Sequence, residues 1–253
     1  MNSRIGIVGS GMIGGQVARL AVKAGMAVEI CNTRGPASLK LLVDELGSTA
    51  HATTLPDMVK CVDMIVLAVP LVAYSKLSVE SLADKIVIDT LNYYPERDGV
   101  LPEIRTDKIS TSELVQAHLV RSRVVRALNN LDFVRLGNLA RPAGSTDRSA
   151  LPVAGDDAAA KGAVIEFLDR IGYDVVDMGP LSESWRSEPT MPIYVTPYSA
   201  AHATSLVSGE KYSFMSDPGR TVTKAKAAEL IGQAVRHAKM FGSLGNFDLS
   251  SFR

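Results

Sequence analysis

The stretch RIGIVGSGMIGG, positions 4 to 15, restricts the fold more than any other part of the chain. A short β-branched run breaks into glycines spaced G-x-G-x-x-G, at Gly9, Gly11 and Gly14, and an amphipathic helical pattern follows directly. In a strand–turn–helix unit the first glycine permits a tight turn, the second lets backbone amides approach a pyrophosphate, and the third lets helix and strand pack closely. The helix's N-terminal amides then face the anion with about half a unit of positive charge. A secretory signal would need a continuous apolar helix after Arg4, and the four glycines between Gly9 and Gly15 interrupt one. The stretch therefore predicts a cradle for a dinucleotide.

The remaining pattern predicts an α/β fold, a doubly wound parallel sheet of the Rossmann type. Strands are expected at 4–8, 27–31, 48–52, 64–68, 85–89 and 124–128, with helical periodicity at 13–23 and 39–46 between them. Six such strands complete the sheet. A further unit is expected to extend it, with a strand in ALPVAGDD, an amphipathic helix over 158–171 closed by Gly172, and a strand in YDVVDMGP. Residues 129–149, containing RPAGSTDRS, read as a loop crossing an edge of the fold. After Gly179 the composition shifts to Pro, Ser, Tyr and Trp, and a helix is expected from about 221 to 240. The expected division is a dinucleotide-binding domain over 1–180 and a small C-terminal helical appendage over 181–253, packed on the carboxyl end of the sheet.

Charge and cysteine usage narrow the partners. Lys plus Arg and Asp plus Glu are 27 each, so the totals predict no basic face for nucleic acid or an anionic membrane, and any anion must be bound locally. Cys31 and Cys61 have no spacing that suggests a disulfide framework or a metal site, which points to a reducing cytoplasm. The longest apolar run, over 64–74, is broken by Pro70 and is too short to cross a bilayer.

The choice between NAD and NADP turns on the end of the second strand. An NAD site commonly places a carboxylate there to bind the ribose hydroxyls, but this chain has Asn32, Thr33 and Arg34. Arg34 can pair with a 2′-phosphate and lie against adenine, while Thr33 and Ser38 offer hydroxyls. NADP is the expected cofactor. The carboxyl ends of the fourth to sixth strands should surround the nicotinamide. There Ala68, Val69 and Pro70 form an apolar wall, Asn92, Tyr93 and Tyr94 offer amide and ring surfaces, and Asn129 can hold a carboxamide or the acceptor.

Hydride transfer to a carbonyl usually recruits a proton donor, and the familiar arrangements are missing. No tyrosine is followed four residues later by lysine, and His51, His118, His202 and His237 are scattered. Each histidine reads as a surface or packing residue. Such a site suits an acceptor that is itself a hydride-accepting cofactor, because transfer between stacked rings needs orientation more than acid–base help. Asn129 and Tyr93 are the candidates for any direct role in the chemistry.

The ordered segments IGIVGSGMIGG, NTRGP, VLAVPLVAY, VIDTLNYYPERDG, STSELVQAHL, RVVRALNN, PVAGDDAAAK and VDMGPLSESWRSEPTMP resemble the coenzyme-dependent NADP oxidoreductase family. That family is typified by the archaeal and actinobacterial NADPH:deazaflavin reductases and includes the oxidoreductase domain of the STEAP metalloreductases. The resemblance runs over about positions 4 to 192 and is far more specific than the glycine motif alone. It implies a Rossmann-like domain carrying NADP, a C-terminal pocket for the deazaflavin coenzyme F420 over the nicotinamide, and a homodimer. It also implies that Ser10, Gly11, Met12 and Ile13 contact the cofactor phosphates, that Thr33 and Arg34 recognise the 2′-phosphate, and that Pro70 lies beside the nicotinamide. The chain departs from the archaeal reductases in carrying Asn129-Asn130 where they have a histidine. Three functions follow as expectations. The first is hydride transfer between NADP(H) and a deazaflavin, the second is reduction of flavin, ferric chelate, quinone or a small imine or enone, and the third is non-catalytic NADP sensing.

Overall fold

The structure, a computed structural model, describes residues 4–104, 109–200 and 211–236. Eight strands form one sheet in the order β3-β2-β1-β4-β5-β6-β7-β8. The first six, β1 (Arg4–Val8), β2 (Ala27–Cys31), β3 (Ala50–Ala52), β4 (Met64–Leu67), β5 (Ile86–Asp89) and β6 (Arg123–Arg126), are mutually parallel. Helices α1 (Met12–Lys23), α2 (Lys40–Leu46), α3 (Leu55–Met58), α4 (Pro95–Asp98) and α5 (Thr111–His118) come from the connections. This is the doubly wound arrangement that the sequence predicts.

Strand alternation explains why both faces are covered. Ile5 and Ile7 of β1 face one core with Val17, Ala18 and Ala21 of α1, while Val8 faces the other with Met58 of α3. β5 repeats the pattern, sending Ile86 and Ile88 to the first core and Val87 to the second, beside Leu114 and Val115 of α5. Sheets covered on both sides read as continuous apolar runs, as IGIV and MIVL do. The amino end of α5 is fixed by a reciprocal capping box between Ser110 and Glu113.

Beyond β6 the structure departs from expectation twice. The presumed loop over 129–149 contains a helix, α6 (Phe133–Asn138), whose cap residue Asp132 accepts from the amides of Val134 and Arg135. The chain then re-enters the sheet from its carboxyl side, so β7 (Ala150–Gly155) is antiparallel to β6 and pairs only at Val125–Gly155 and Arg126–Ala154. Helix α7 (Ala158–Ile171) returns the chain to β8 (Asp174–Asp177), which is parallel to β7. Gly172 closes α7 at φ 111° against the Arg141 backbone, a conformation and a proximity that no side chain tolerates.

Two 3₁₀ segments, Leu181–Ser187 and Thr196–Tyr198, follow, and then helices α8 (Lys211–Ser216) and α9 (Lys224–Gly232). The expected helix over 221–240 is shorter, starting at Lys224, where Thr223 accepts from the Lys226 amide, and ending at Gly232, with 233–236 not helical and 237–240 outside the described residues. Leu181 enters the second core, while Ile193, Tyr198, Val222, Ala227 and Leu230 enter the first. Among the described residues no helix is long and apolar enough to cross a membrane.

Candidate active site

The glycine loop joins three strand ends. The Gly9 amide donates to the Cys31 carbonyl at 2.9 Å, and the Ala68 amide donates to the Val8 carbonyl at 2.8 Å. Gly9 turns at φ 107°, and a Cβ there would fall on the Ala68 carbonyl. A Cβ on Gly14 would fall on the Gly9 carbonyl oxygen, 3.0 Å from its carbon. Both glycines are therefore demanded by packing. Gly11 is different, because a Cβ there meets nothing within 4 Å. It is the N-cap of α1, no side chain caps it, and the first turn holds no acid. The amides of Met12, Ile13 and Gly14 have no intrahelical acceptors, so this end of α1 fits a phosphate group.

On the β2 side, Asn32 organises the loop that follows. Its Nδ2 donates to Ser10 Oγ at 2.9 Å and Ser38 Oγ at 3.0 Å, and its Oδ1 accepts from the Arg34 amide at 2.9 Å. One side chain thus ties the glycine loop to the segment expected to read the ribose. Thr33, Arg34 and Ser38 are exposed, and the Arg34 guanidinium has no acidic partner among the described residues. The Ser38 hydroxyl also lies 2.7 Å from the Gly35 carbonyl, so it is engaged within the loop. Cys31, at the end of β2, is buried, and burial raises its thiol to about 11, which leaves it unreactive.

On the opposite side of β1, Ala68 and Val69 are half-buried against Gly14 and Gly9, and exposed Pro70 begins the 3₁₀ segment Leu71–Lys76. Thr90 Oγ1 donates to the Leu67 carbonyl at 2.8 Å, bringing the end of β5 beside that of β4. A buried polar cluster follows. Arg126 and Asp89, both 0% exposed, pair at 3.1 Å, and Arg126 also donates to the Leu91 carbonyl and to Asn92 Oδ1 at 3.0 Å. Ser112 Oγ donates to Asp89 at 2.6 Å. Glu188 is 1% exposed, and its Oε1 accepts from the Thr111 amide and hydroxyl at 2.7 and 2.8 Å, while Oε2 has no hydrogen-bond partner among the described residues. Burial pushes the Glu188 carboxyl up from its ordinary value, against the pull of Arg126.

The two candidates for direct chemistry are not placed at an open position. Tyr93 is 1% exposed in the second core, and its hydroxyl donates to the Gly99 carbonyl at 2.8 Å and accepts from the Leu101 amide. Asn129 is buried, with Nδ2 donating to the Ser187 carbonyl at 2.6 Å and Oδ1 accepting from Ser187 Oγ at 3.0 Å. Asn92 is half-buried, and its Nδ2 donates to the Asn129 carbonyl at 2.8 Å. His118 Nε2 lies 2.9 Å from the Leu77 carbonyl and its ring packs on Tyr74, His51 is exposed on β3, and His202 and His237 lie outside the described residues. The structure thus gathers the glycine loop, the 32–38 loop, the 68–70 wall and Asn92 around the carboxyl ends of β1, β2, β4 and β5. Sequence reasoning missed Asp89, Arg126, Glu188 and Tyr194. Only Arg126, a charge inside the apolar run VVRAL, carried a local signal.

Comparison with known proteins agrees with the fold. Residues 4–93 match the model of the family described as NADP oxidoreductase, coenzyme F420-dependent. The Escherichia coli K12 protein YjhV is 40% identical over 60 residues, which is 24% of this chain and 44% of that protein, so the chain spans less than half of this curated relative. Protein SMa0349 of Sinorhizobium meliloti superposes with a TM-score of 0.65 at 27% identity, over 77% of this chain and 93% of its own. A protein of Arthrobacter sp. FB24, provisionally named an F420-dependent NADP reductase, superposes with a TM-score of 0.59 at 26% identity, over 71% of this chain and 86% of its own. By fold the chain is a Rossmann-type α/β protein, and its residues 4–93 are similar to the family of coenzyme F420-dependent NADP oxidoreductases.

Proposed function

We propose that the chain is an oxidoreductase that moves a hydride between NADP(H) and a deazaflavin coenzyme. The observation that carries this reading is the open, uncapped amino end of α1 at Gly11, joined through Ser10 and Asn32 to a loop with a guanidinium and no carboxylate. The amides of Met12 and Ile13 hold the pyrophosphate, and Arg34 with Thr33 holds the 2′-phosphate. Bound NADPH supplies the hydride. Ala68, Val69 and Pro70 form the apolar wall that orients the nicotinamide, and Asn92, held by Arg126 and the Asn129 carbonyl, lines its carboxamide side. Asn129 acts as a positioning residue, since its amide ties the end of β6 to Ser187. The segment over 181–253 completes the acceptor pocket, and the protein works as a homodimer in the cytoplasm.

The test is spectrophotometric. NADPH, and not NADH, should bleach the visible absorbance of oxidised coenzyme F420 in the presence of the protein. Turnover of free flavin, quinone or a cyclic imine with none on F420 would overturn the deazaflavin assignment while keeping the reductase. Absence of turnover with every acceptor would overturn the enzyme.

A further inference from the structure

Five residues past β5, Tyr94 meets Tyr194 hydroxyl to hydroxyl, across a sequence separation of 100 residues. Asn92 Nδ2 donates to the Tyr194 oxygen at 3.4 Å. Two phenols carry two protons, and one of them lies between the two oxygens. The other has no acceptor among the described residues, whichever way the bond runs. Both rings are half-buried, so this remaining donor sits at the rim of the site.

The location follows from the topology. The cradle lies on β1, and the loop with Arg34 follows β2, on one side of it. A dinucleotide lying across the switch point extends its other half over β4 and β5. The hydroxyl pair follows the end of β5, five residues on at Tyr94, and is bonded to Asn92, three residues past that strand. The backbone around Tyr194 is held in costly conformations, with Thr190 at φ 76° and Val195 at φ 49°, both β-branched. The Val195 amide donates to the Asn130 carbonyl at 2.9 Å, and Asn130 Nδ2 donates to the Ile193 carbonyl at 3.2 Å. Such strain persists where a site over-determines it.

From these observations, and resting on the oxidoreductase reading above, we infer that the Tyr94–Tyr194 pair donates a hydrogen bond to the hydride acceptor, at a ring oxygen or nitrogen conjugated to the carbon that takes the hydride. The hydride leaves the nicotinamide with both electrons of its C–H bond and bonds to that carbon, so NADPH is oxidised and the acceptor reduced. The electron pair displaced from the acceptor's double bond moves to the conjugated heteroatom. The free hydroxyl proton stabilises the charge gathering there, and a proton from water completes the reduced product. Burial pushes both phenols up, so the pair stays protonated near neutral pH and acts as a donor. The ligand class is a planar, conjugated carbonyl or imine, and a saturated ketone lacks the remote heteroatom.

The test compares wild type, Tyr94→Phe, Tyr194→Phe and the double variant by calorimetric binding of oxidised F420 and by single-turnover transfer from NADPH. Each single variant keeps one hydroxyl and frees its proton, so transfer should slow by about tenfold or less, while the double variant should slow by about a hundredfold. F420 affinity should fall in the double variant, with NADPH affinity and melting temperature unchanged. A double variant that transfers hydride and binds F420 as wild type does would overturn the pair's role and leave the reductase standing. A wild type that reduces no acceptor would overturn both.

Discussion

Alanine placed at Gly11 and, separately, at Gly14 distinguishes a glycine kept open for a ligand from one kept small for packing. At Gly14, inside α1, helix propensity alone favours alanine by about 1 kcal/mol. The new Cβ would, however, fall on the Gly9 carbonyl oxygen, which is backbone and cannot rotate away. Overpacking of this kind costs about 1–3 kcal/mol and more against rigid atoms, so the clash wins. At about 2–4 °C per kcal/mol for a chain of this size, Gly14→Ala should lower the melting temperature by several degrees. Gly11 has φ −72°, which any residue adopts, and open space around it, so alanine there costs only the cap preference, about 1 kcal/mol or less. Its effect falls on the ligand instead. Displacing a pyrophosphate from two charge-assisted amide bonds forfeits about 3 kcal/mol, or about a hundredfold in affinity. Thermal melts and calorimetric titration with NADP+ on both variants read the two quantities. A Gly11→Ala protein that binds NADP+ within about threefold of wild type would refute the cradle. A Gly14→Ala protein that melts at or above wild type would refute the close approach.

Three further outcomes follow from the polar groups. Arg126→Met strands Asp89 with no exposed surface, so it should cost about 3–5 kcal/mol in denaturant unfolding, and adding Asp89→Leu should recover much of the loss; equal costs for the single and double variants would contradict the pairing. Asn32→Ala cuts the ties to Ser10 and Ser38 and should raise KM for NADPH with kcat unchanged, whereas a fall in kcat alone would place Asn32 elsewhere in the reaction. Glu188 binds its proton more tightly folded than unfolded, so its contribution is fully present below the ordinary carboxyl value of 4.5 and is lost as pH rises through the folded value. Glu188→Gln should therefore gain stability relative to wild type as pH rises above 4.5, and parallel pH profiles would contradict the upward shift of the buried carboxyl.

Period-two and glycine signals are local, and they made β1 through β6, α1 and the cradle legible in the sequence. The polarity of β7 was not, because strand direction depends on where the chain re-enters the sheet, which no residue in ALPVAGDD encodes. Helix α6 is six residues long, too short for periodicity to stand out, and only Asp132 before its first turn announced it. The surroundings of Tyr93 and Asn129 were not legible, each for its own reason. Adjacent aromatics point to opposite sides, and Tyr93 turned into the core while Tyr94 turned to Tyr194. Asn129 was readable as polar, but its partner Ser187 lies 58 residues away. Contacts of that range, like Thr111 with Glu188, leave no trace in spacing.

The central claim is that this fold grips a phosphorylated dinucleotide through the α1 cradle and Arg34. Calorimetric titration of wild type and Arg34→Ala with NADPH and NADH tests it directly. The account predicts that wild type binds NADPH at least about tenfold more tightly than NADH, and that Arg34→Ala erases the difference by weakening NADPH alone. Equal affinities in wild type, or a loss shared by both nucleotides in the variant, would contradict it.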